Sequence, residues 1–154
     1  MLYLVRHAKA GSRREWGDDD RLRPLVDDGR RQAEALAERL QPLVEGGELV
    51  SSPYSRCVQT LEPLAARLGI SVRADERLAE ETGFAPTLEL LDELPEGSVL
   101  CSHGDVIPEV VEALQRRGCN VIGEPDWRKG SVWVLQRNEF GQWTEASAWP
   151  PPHD

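Results

Sequence analysis

Two arginines and two histidines carry the chemistry that this 154-residue sequence suggests. Arg6-His7 and His103-Gly104 each follow a short apolar run, and Arg56 lies just beyond Ser51-Ser52-Pro53. Arginine presents a planar fork of N–H donors that matches phosphate oxygens in pairs. A neutral imidazole attacks phosphorus directly near pH 7, forming a covalent phosphohistidine. A second imidazole, if protonated, stabilises charge on the equatorial oxygens. The leaving oxygen needs a proton, which a positioned carboxylic acid supplies. Glu80 and Glu81 are the two candidates.

These groups are useful only if the chain brings them together. Residues 1–5 read as a buried strand, and residues 8–25 as a charged loop. A helix is expected from Asp27, with Ala33, Leu36, Ala37, Leu40 and Leu43 at helical spacing, ending at Pro42 or Gly46. Residues 48–51 form a short strand. Ser52-Pro53 reads as an N-cap followed by proline in the first turn, opening a helix that ends at Gly69 and is kinked or broken at Pro63. A strand over 70–73, a short helix over 86–94 and a buried strand over 98–102 follow. A further helix then aligns Ile107, Val110, Val111 and Leu114. Residues 131–136 and 142–148 pair as a hairpin across Asn138–Gly141. Strands alternating with helices imply an α/β layer sandwich with a mostly parallel central sheet. In such sheets ligands sit beyond the carboxyl ends of the strands, where His7, His103 and the segment leading to Arg56 fall. The helix after Pro53 also offers free backbone N–H groups to an anion.

Composition narrows the partners. At 40% hydrophobic residues the chain can bury one core, so residues 1–154 are expected to form a single domain, with 149–154 a loosely held tail. A net charge of -9 argues against nucleic-acid binding and against anionic membranes. No membrane span or signal peptide is visible. Cys57, Cys101 and Cys119, odd in number and without metal-like spacing, suggest reduced thiols in the cytoplasm. Oligomeric state is not readable.

Four segments in order resemble the histidine phosphatase superfamily, also called phosphoglycerate mutase-like. They are Leu4-Val5-Arg6-His7-Ala8, the stretch from Arg23-Pro24-Leu25 through Gly29 to Gln32-Ala33, the stretch Ser51–Thr60, and Ser102-His103-Gly104. The resemblance spans roughly residues 1–136 and implies a three-layer α/β/α sandwich. It implies His7 as nucleophile, and Arg6, Arg56 and His103 as the phosphate pocket. Leu78-Ala79-Glu80 points to Glu80 as the acid. No cofactor or metal is implied. Ala8 stands where much of the family has glycine, as in its shorter phosphohistidine-phosphatase-like branch. Mutase-type residues and insertions are missing, which points away from mutase activity. Ala10–Arg14, Asp20–Leu25 and Arg128–Ser131 also resemble the histidine phosphatase domain fused behind Nudix domains in some actinobacterial proteins.

Rival chemistries fit less well. Leu78–Phe84 looks like the tail of a Nudix box, but the glycine and glutamate the box requires upstream fall on Glu62 and Leu68. A cysteine phosphatase needs arginine six residues after its cysteine, where Pro63, Ile107 and Pro125 stand. A metal hydrolase would have to use His7 and His103 beside two arginines that repel a divalent cation, and the third histidine, His153, lies in the tail. A non-catalytic phosphate-binding or scaffold domain would keep the same fold.

The substrate is expected to be a small phosphomonoester or nucleotide, with phosphohistidine on a partner protein as the alternative. Lys9, Arg13, Arg14, Arg21 and Arg23, with Arg128 and Lys129 from the last loop, would favour more than one phosphate or a phosphorylated protein surface. The competing view is that these cations pair with Asp18, Asp19 and Asp20 on a solvated surface. Trp16 and Trp127 are either platforms for a nucleobase or packing residues under loops.

Overall fold

A computed structural model describes residues 1–152. In chain order the regular elements are β1 (Leu2–Arg6), α1 (Asp27–Leu40), β2 (Leu49–Ser51), α2 (Ser55–Leu68), β3 (Val72–Ala74), α3 (Ala85–Glu93), β4 (Val99–Ser102), α4 (Val106–Arg116), β5 (Asn120–Ile122), β6 (Val132–Arg137) and β7 (Trp143–Trp149). The strands form one sheet in the order β3-β2-β4-β1-β6-β7-β5. Four of its neighbouring pairs are parallel, and β6 is antiparallel to both β1 and β7.

Alternation along the strands makes three layers. On β1, Leu2 and Leu4 face α3 and α4, where they pack with Leu88, Leu91, Val110 and Leu114. Tyr3 and Val5 face α1 and α2, where they meet Leu36, Leu40, Leu61 and Leu64. Burying each such leucine contributes about 1.5–3 kcal/mol, so both faces of the sheet are firmly covered. The α/β/α sandwich with a mostly parallel sheet is therefore the architecture observed.

Several local expectations change. Ser52 and Pro53 precede α2 rather than open it, because the chain stays extended through Tyr54 before helical geometry begins. Ser52 still acts as a local cap, its hydroxyl accepting from the Tyr54 amide at 3.3 Å. Helix α2 continues through Pro63 without a break. The cost there is the bond that residue 63 would have given to Gln59, and Leu61 and Leu64 on the same stretch are buried. The 8–25 segment is not shapeless. Ala10 bridges Leu25 in antiparallel fashion, a 3-10 turn spans Asp20–Leu22, and Ala8, Ala10, Leu25 and Ala33 form a small cluster. Strand β5 was not expected from the sequence. Trp149, assigned to the loose tail, ends β7 and lies 5.9 Å from Tyr3, while the Pro150 carbonyl accepts from Arg39 at 3.0 Å. The remainder of that tail, His153 and Asp154, lies outside the described residues.

The loop after β1 is locked by contact with α1. A Cβ on Gly29 would sit 1.9 Å from the Lys9 carbonyl oxygen, so only glycine lets this helix approach the backbone. Gly29→Ala should cost about 1–3 kcal/mol and lower the melting temperature by about 2–10 °C. Circular dichroism melts check this, and an unchanged melting point would mean that the loop does not rest on α1.

Candidate active site

Strand register assembles the site. Arg6 pairs with Ser102, and Ser51 pairs with Cys101, so β1, β2 and β4 end within a residue of one another. The next residues, His7, Ser52 and His103, therefore emerge side by side at the carboxyl edge. The ladder extends into them, because the His7 amide donates to Ser102 O at 3.1 Å and the Ser52 amide to Cys101 O at 3.0 Å. A pocket of about 250 Å3 opens above, lined by Arg6, His7, Arg13, Arg23, Arg56, Glu80, His103, Gly104, Asp105 and Lys129.

His7 is 6% exposed, and its Nδ1 lies 2.8 Å from the Ala8 carbonyl oxygen. A carbonyl only accepts, so Nδ1 carries the proton and Nε2 keeps its lone pair. Burial lowers the pKa of His7 to about 3. The Ala8 bond opposes this, while Arg56, Arg6 and Lys129 push the same way. The imidazole is thus neutral at physiological pH. His103 is also pushed down to about 3, by burial, then by His7 and Arg56. The second histidine, considered charged from the sequence, is accordingly neutral. Its Nε2 lies 2.8 Å from Ser52 Oγ. The Glu80 carboxylate, which only accepts, faces Nδ1, so the imidazole proton belongs on Nδ1 and Nε2 accepts from the Ser52 hydroxyl. That Nδ1 has no hydrogen-bond partner among the described residues and lies 3.5 Å from Glu80 Oε1.

The two arginines are built in differently. Arg56 is 1% exposed and donates through Nη1 to Asp20 O at 2.8 Å and through Nη2 to Asp20 Oδ2 at 3.1 Å and to Glu80 Oε1. The Tyr54 ring lies over it at 4.8 Å. Arg6 donates through Nη1 to the Trp127 carbonyl at 2.6 Å, and burial draws its pKa below the usual guanidinium value, against the pull of Asp105. A Cβ at position 104 would fall 2.6 Å from Arg6 Cζ, so the glycine after His103 is what makes room for that guanidinium. The Nε atoms of Arg6 and Arg56 are buried without a hydrogen-bond partner among the described residues. Two unsatisfied guanidinium donors and one imidazole donor at one hollow suit an acceptor-rich tetrahedral anion.

The two glutamates separate cleanly. Glu80 lines the pocket against Arg56, with Arg13 Nη2 at 3.4 Å. Glu81 adopts a positive φ of 67° and is exposed, its amide donating to Asp105 Oδ2 at 3.0 Å. Of the remaining cations, Arg13 and Lys129 line the pocket, and burial followed by the repulsion of Arg6 and Arg23 lowers the Lys129 pKa. Lys9, Arg14 and Arg21 do not line it. Lys9 points toward Asp28 at 3.9 Å, Arg14 is exposed, and Arg21 is held by Glu76 at 3.0 Å. A larger hollow of about 700 Å3 lies along the outer face of α1, away from both histidines.

Sequence reasoning undervalued three residues. Asp20, read as one of three surface acids, is the counter-ion shared by Arg56, Arg23 and Arg13. Burial works to raise its pKa, but hydrogen bonds from Arg23 and Arg56 and their charges prevail and lower it. Buried Arg23 and exposed Asp105 complete the lining. The adjacency of Asp105 to His103-Gly104 was the available signal; for Asp20 it was only its place at the start of the Asp20–Leu25 resemblance, which Asp18 and Asp19 do not share. Trp16 is tied within its own loop, donating to Asp19 O at 2.9 Å.

Comparison with known proteins identifies the family and the fold. An 8-oxo-(d)GTP phosphatase of Mycolicibacterium smegmatis is 35% identical over 160 residues, covering 99% of this chain and 49% of that protein. The chain thus spans about half the length of this curated relative. The protein histidine phosphatase SixA, solved with tungstate, superposes with a TM-score of 0.73 at 22% identity over 93% of this chain and 92% of that chain. A candidate phosphohistidine phosphatase SixA from Nakamurella multipartitia gives 0.65 at 27% identity over 87% and 82%. The sequence profile of the histidine phosphatase superfamily, branch 1, matches residues 2–85. With that match over more than half its length, the chain belongs to branch 1 of the histidine phosphatase superfamily.

Proposed function

We propose that the protein hydrolyses phosphomonoesters or nucleotide phosphates without a metal ion, through a phosphohistidine formed on His7. The observation that carries this reading is the placing of His7, whose Nδ1 lies 2.8 Å from the Ala8 carbonyl oxygen, in one pocket with Arg6, Arg56 and His103; burial keeps its imidazole neutral. In this reading Arg6, Arg56 and His103 Nδ1–H hold the phosphoryl oxygens while His7 Nε2 attacks in line. The phosphorus–oxygen bond to the leaving group breaks, and Glu80, which takes a proton from the incoming phosphate monoanion as that anion replaces it on Arg56, passes the proton to the leaving oxygen. Glu80 then takes a proton from water as the hydroxyl oxygen displaces His7 from phosphorus. Arrival of the anion replaces part of the Asp20 and Glu80 contacts to Arg56, and its three remaining oxygens offer acceptors to donors that have no partner among the described residues.

A nucleotide substrate is supported by the 35% identical relative named for one, and by Arg13, Arg23 and Lys129 surrounding the phosphate position with charge for more than one phosphate. We also infer a single domain in a reducing cytoplasm, which fits three free, buried thiols. Among the described residues no helix is long and apolar enough to cross a membrane.

His7→Ala should abolish turnover of p-nitrophenyl phosphate, measured with and without chelator; near-normal activity, or loss on chelation, sinks the proposal. Glu80→Gln should slow alkyl phosphates by about 10²–10⁴-fold and activated aryl phosphates far less. Equal losses would remove Glu80 as the acid, and no loss would point to a phosphoramidate leaving group on a partner protein. Acid stability gives a second test. Between the unfolded histidine value near 6.5 and about 3, the unfolded chain binds protons that the folded protein refuses, so stability falls as pH drops through this window. Each histidine contributes up to about 1.4 kcal/mol per pH unit. Urea unfolding at pH 6.5 and 5 should show the loss, and the variant His7→Asn should lose roughly half of it.

A further inference from the structure

A further hollow, of about 420 Å3, is lined by Trp127 and by Pro108, Glu112 and Gln115 of α4. Two chain segments run from the phosphate pocket to it. Asp105, which lines that pocket, is the N-cap of α4, and Pro108, Glu112 and Gln115 continue its face at spacings of three, four and three. On the other side, the Trp127 carbonyl accepts from Arg6, and Lys129, two residues on, returns to the pocket. Trp127 is 39% exposed, with its ring lying 4.9 Å from buried Trp133 at a tilt of 33°. One face of the indole is therefore covered by the core, and the hollow takes the exposed part.

We propose that this hollow is a nucleobase subsite, in which a guanine nucleotide stacks on Trp127 while its terminal phosphate occupies the pocket of His7. The inference rests on the phosphatase reading above for what happens at phosphorus, but the subsite stands on its own geometry. An indole backed by a second ring is a rigid stacking surface. The seven steps from Asp105 to Glu112 rise about 10 Å, within the reach of a nucleoside diphosphate from terminal phosphate to base. The Glu112 carboxylate only accepts hydrogen bonds. Guanine presents two adjacent N–H donors to it, whereas adenine offers one donor beside an acceptor. Arg116 Nη1 lies 3.2 Å from one Glu112 oxygen, which orients the carboxylate and leaves further lone pairs open. Gln115, a turn further along, supplies an amide N–H for the guanine carbonyl.

The test compares kcat/KM for GDP, ADP and glycerol phosphate in the wild type, Trp127→Leu and Glu112→Gln. Trp127→Leu should lower the ratio of GDP to glycerol phosphate about tenfold or more. Glu112→Gln should reduce the preference for GDP over ADP by about fivefold to tenfold. Unchanged ratios in both variants overturn the subsite. If Trp127→Leu fails to fold, Glu112→Gln decides alone, because this exposed side chain supports no core packing. If the wild type hydrolyses none of these esters nor p-nitrophenyl phosphate, the phosphatase reading fails instead. Calorimetric binding of GDP to wild type and Glu112→Gln then decides the subsite, and equal affinities reject it.

Discussion

The interaction on which the rest depends is the burial of Arg56 at the carboxyl edge of the sheet. A guanidinium with 1% exposure is tolerable only if anions or hydrogen-bond acceptors replace lost water. Asp20 and Glu80 provide them from two separate segments, and the Tyr54 ring covers one side. This requirement fastens the loop after β1, the start of α2 and the turn after β3 to one point. The acids are internal stand-ins for a ligand, so the pocket is organised before any substrate enters it, and little backbone rearrangement is required on binding.

Burial at the sheet edge, reinforced by the cations crowded into the same hollow, then sets the state of the histidines. Neither His7 nor His103 can take up a proton near neutral pH while Arg6 and Arg56 stand beside them and water is excluded. For an attacking group this is the useful direction, because protonation would remove the lone pair that reaches phosphorus. The same field favours a dianion, which neutralises the cations that depress the imidazoles. A protein with an overall charge of -9 therefore keeps a local reversal of sign at one sheet edge.

Much of this was legible in the sequence, for reasons that can be named. Arg6-His7 and His103-Gly104 each follow a run of buried apolar residues, so their place at strand ends followed from hydrophobicity alone, and strand order did the rest. What failed was direction. Lys9, Arg14 and Arg21 share a charged loop with Arg13 and Arg23, and the side of the bridge between Ala10 and Leu25 on which each falls depends on tertiary pairing that no local pattern encodes. That Glu80 lines the pocket while Glu81 is exposed goes with a single backbone angle, the positive φ at residue 81. Strand β5 has three residues, none buried, and exists because β7 offers it an edge. Pro63 misled in the opposite sense, because tertiary burial of its neighbours outweighs one missing helical bond.

The close seating of the Arg6 guanidinium under Gly104 has an evolutionary corollary. Any side chain at 104 would have to evict an arginine that is itself tied to the Trp127 carbonyl, so the two positions can drift only together, and the loop carrying Trp127 would be released with them. Variation in what this protein accepts is therefore easiest to acquire on the outer wall, at positions such as 112 and 115, where a change leaves that three-part clasp untouched.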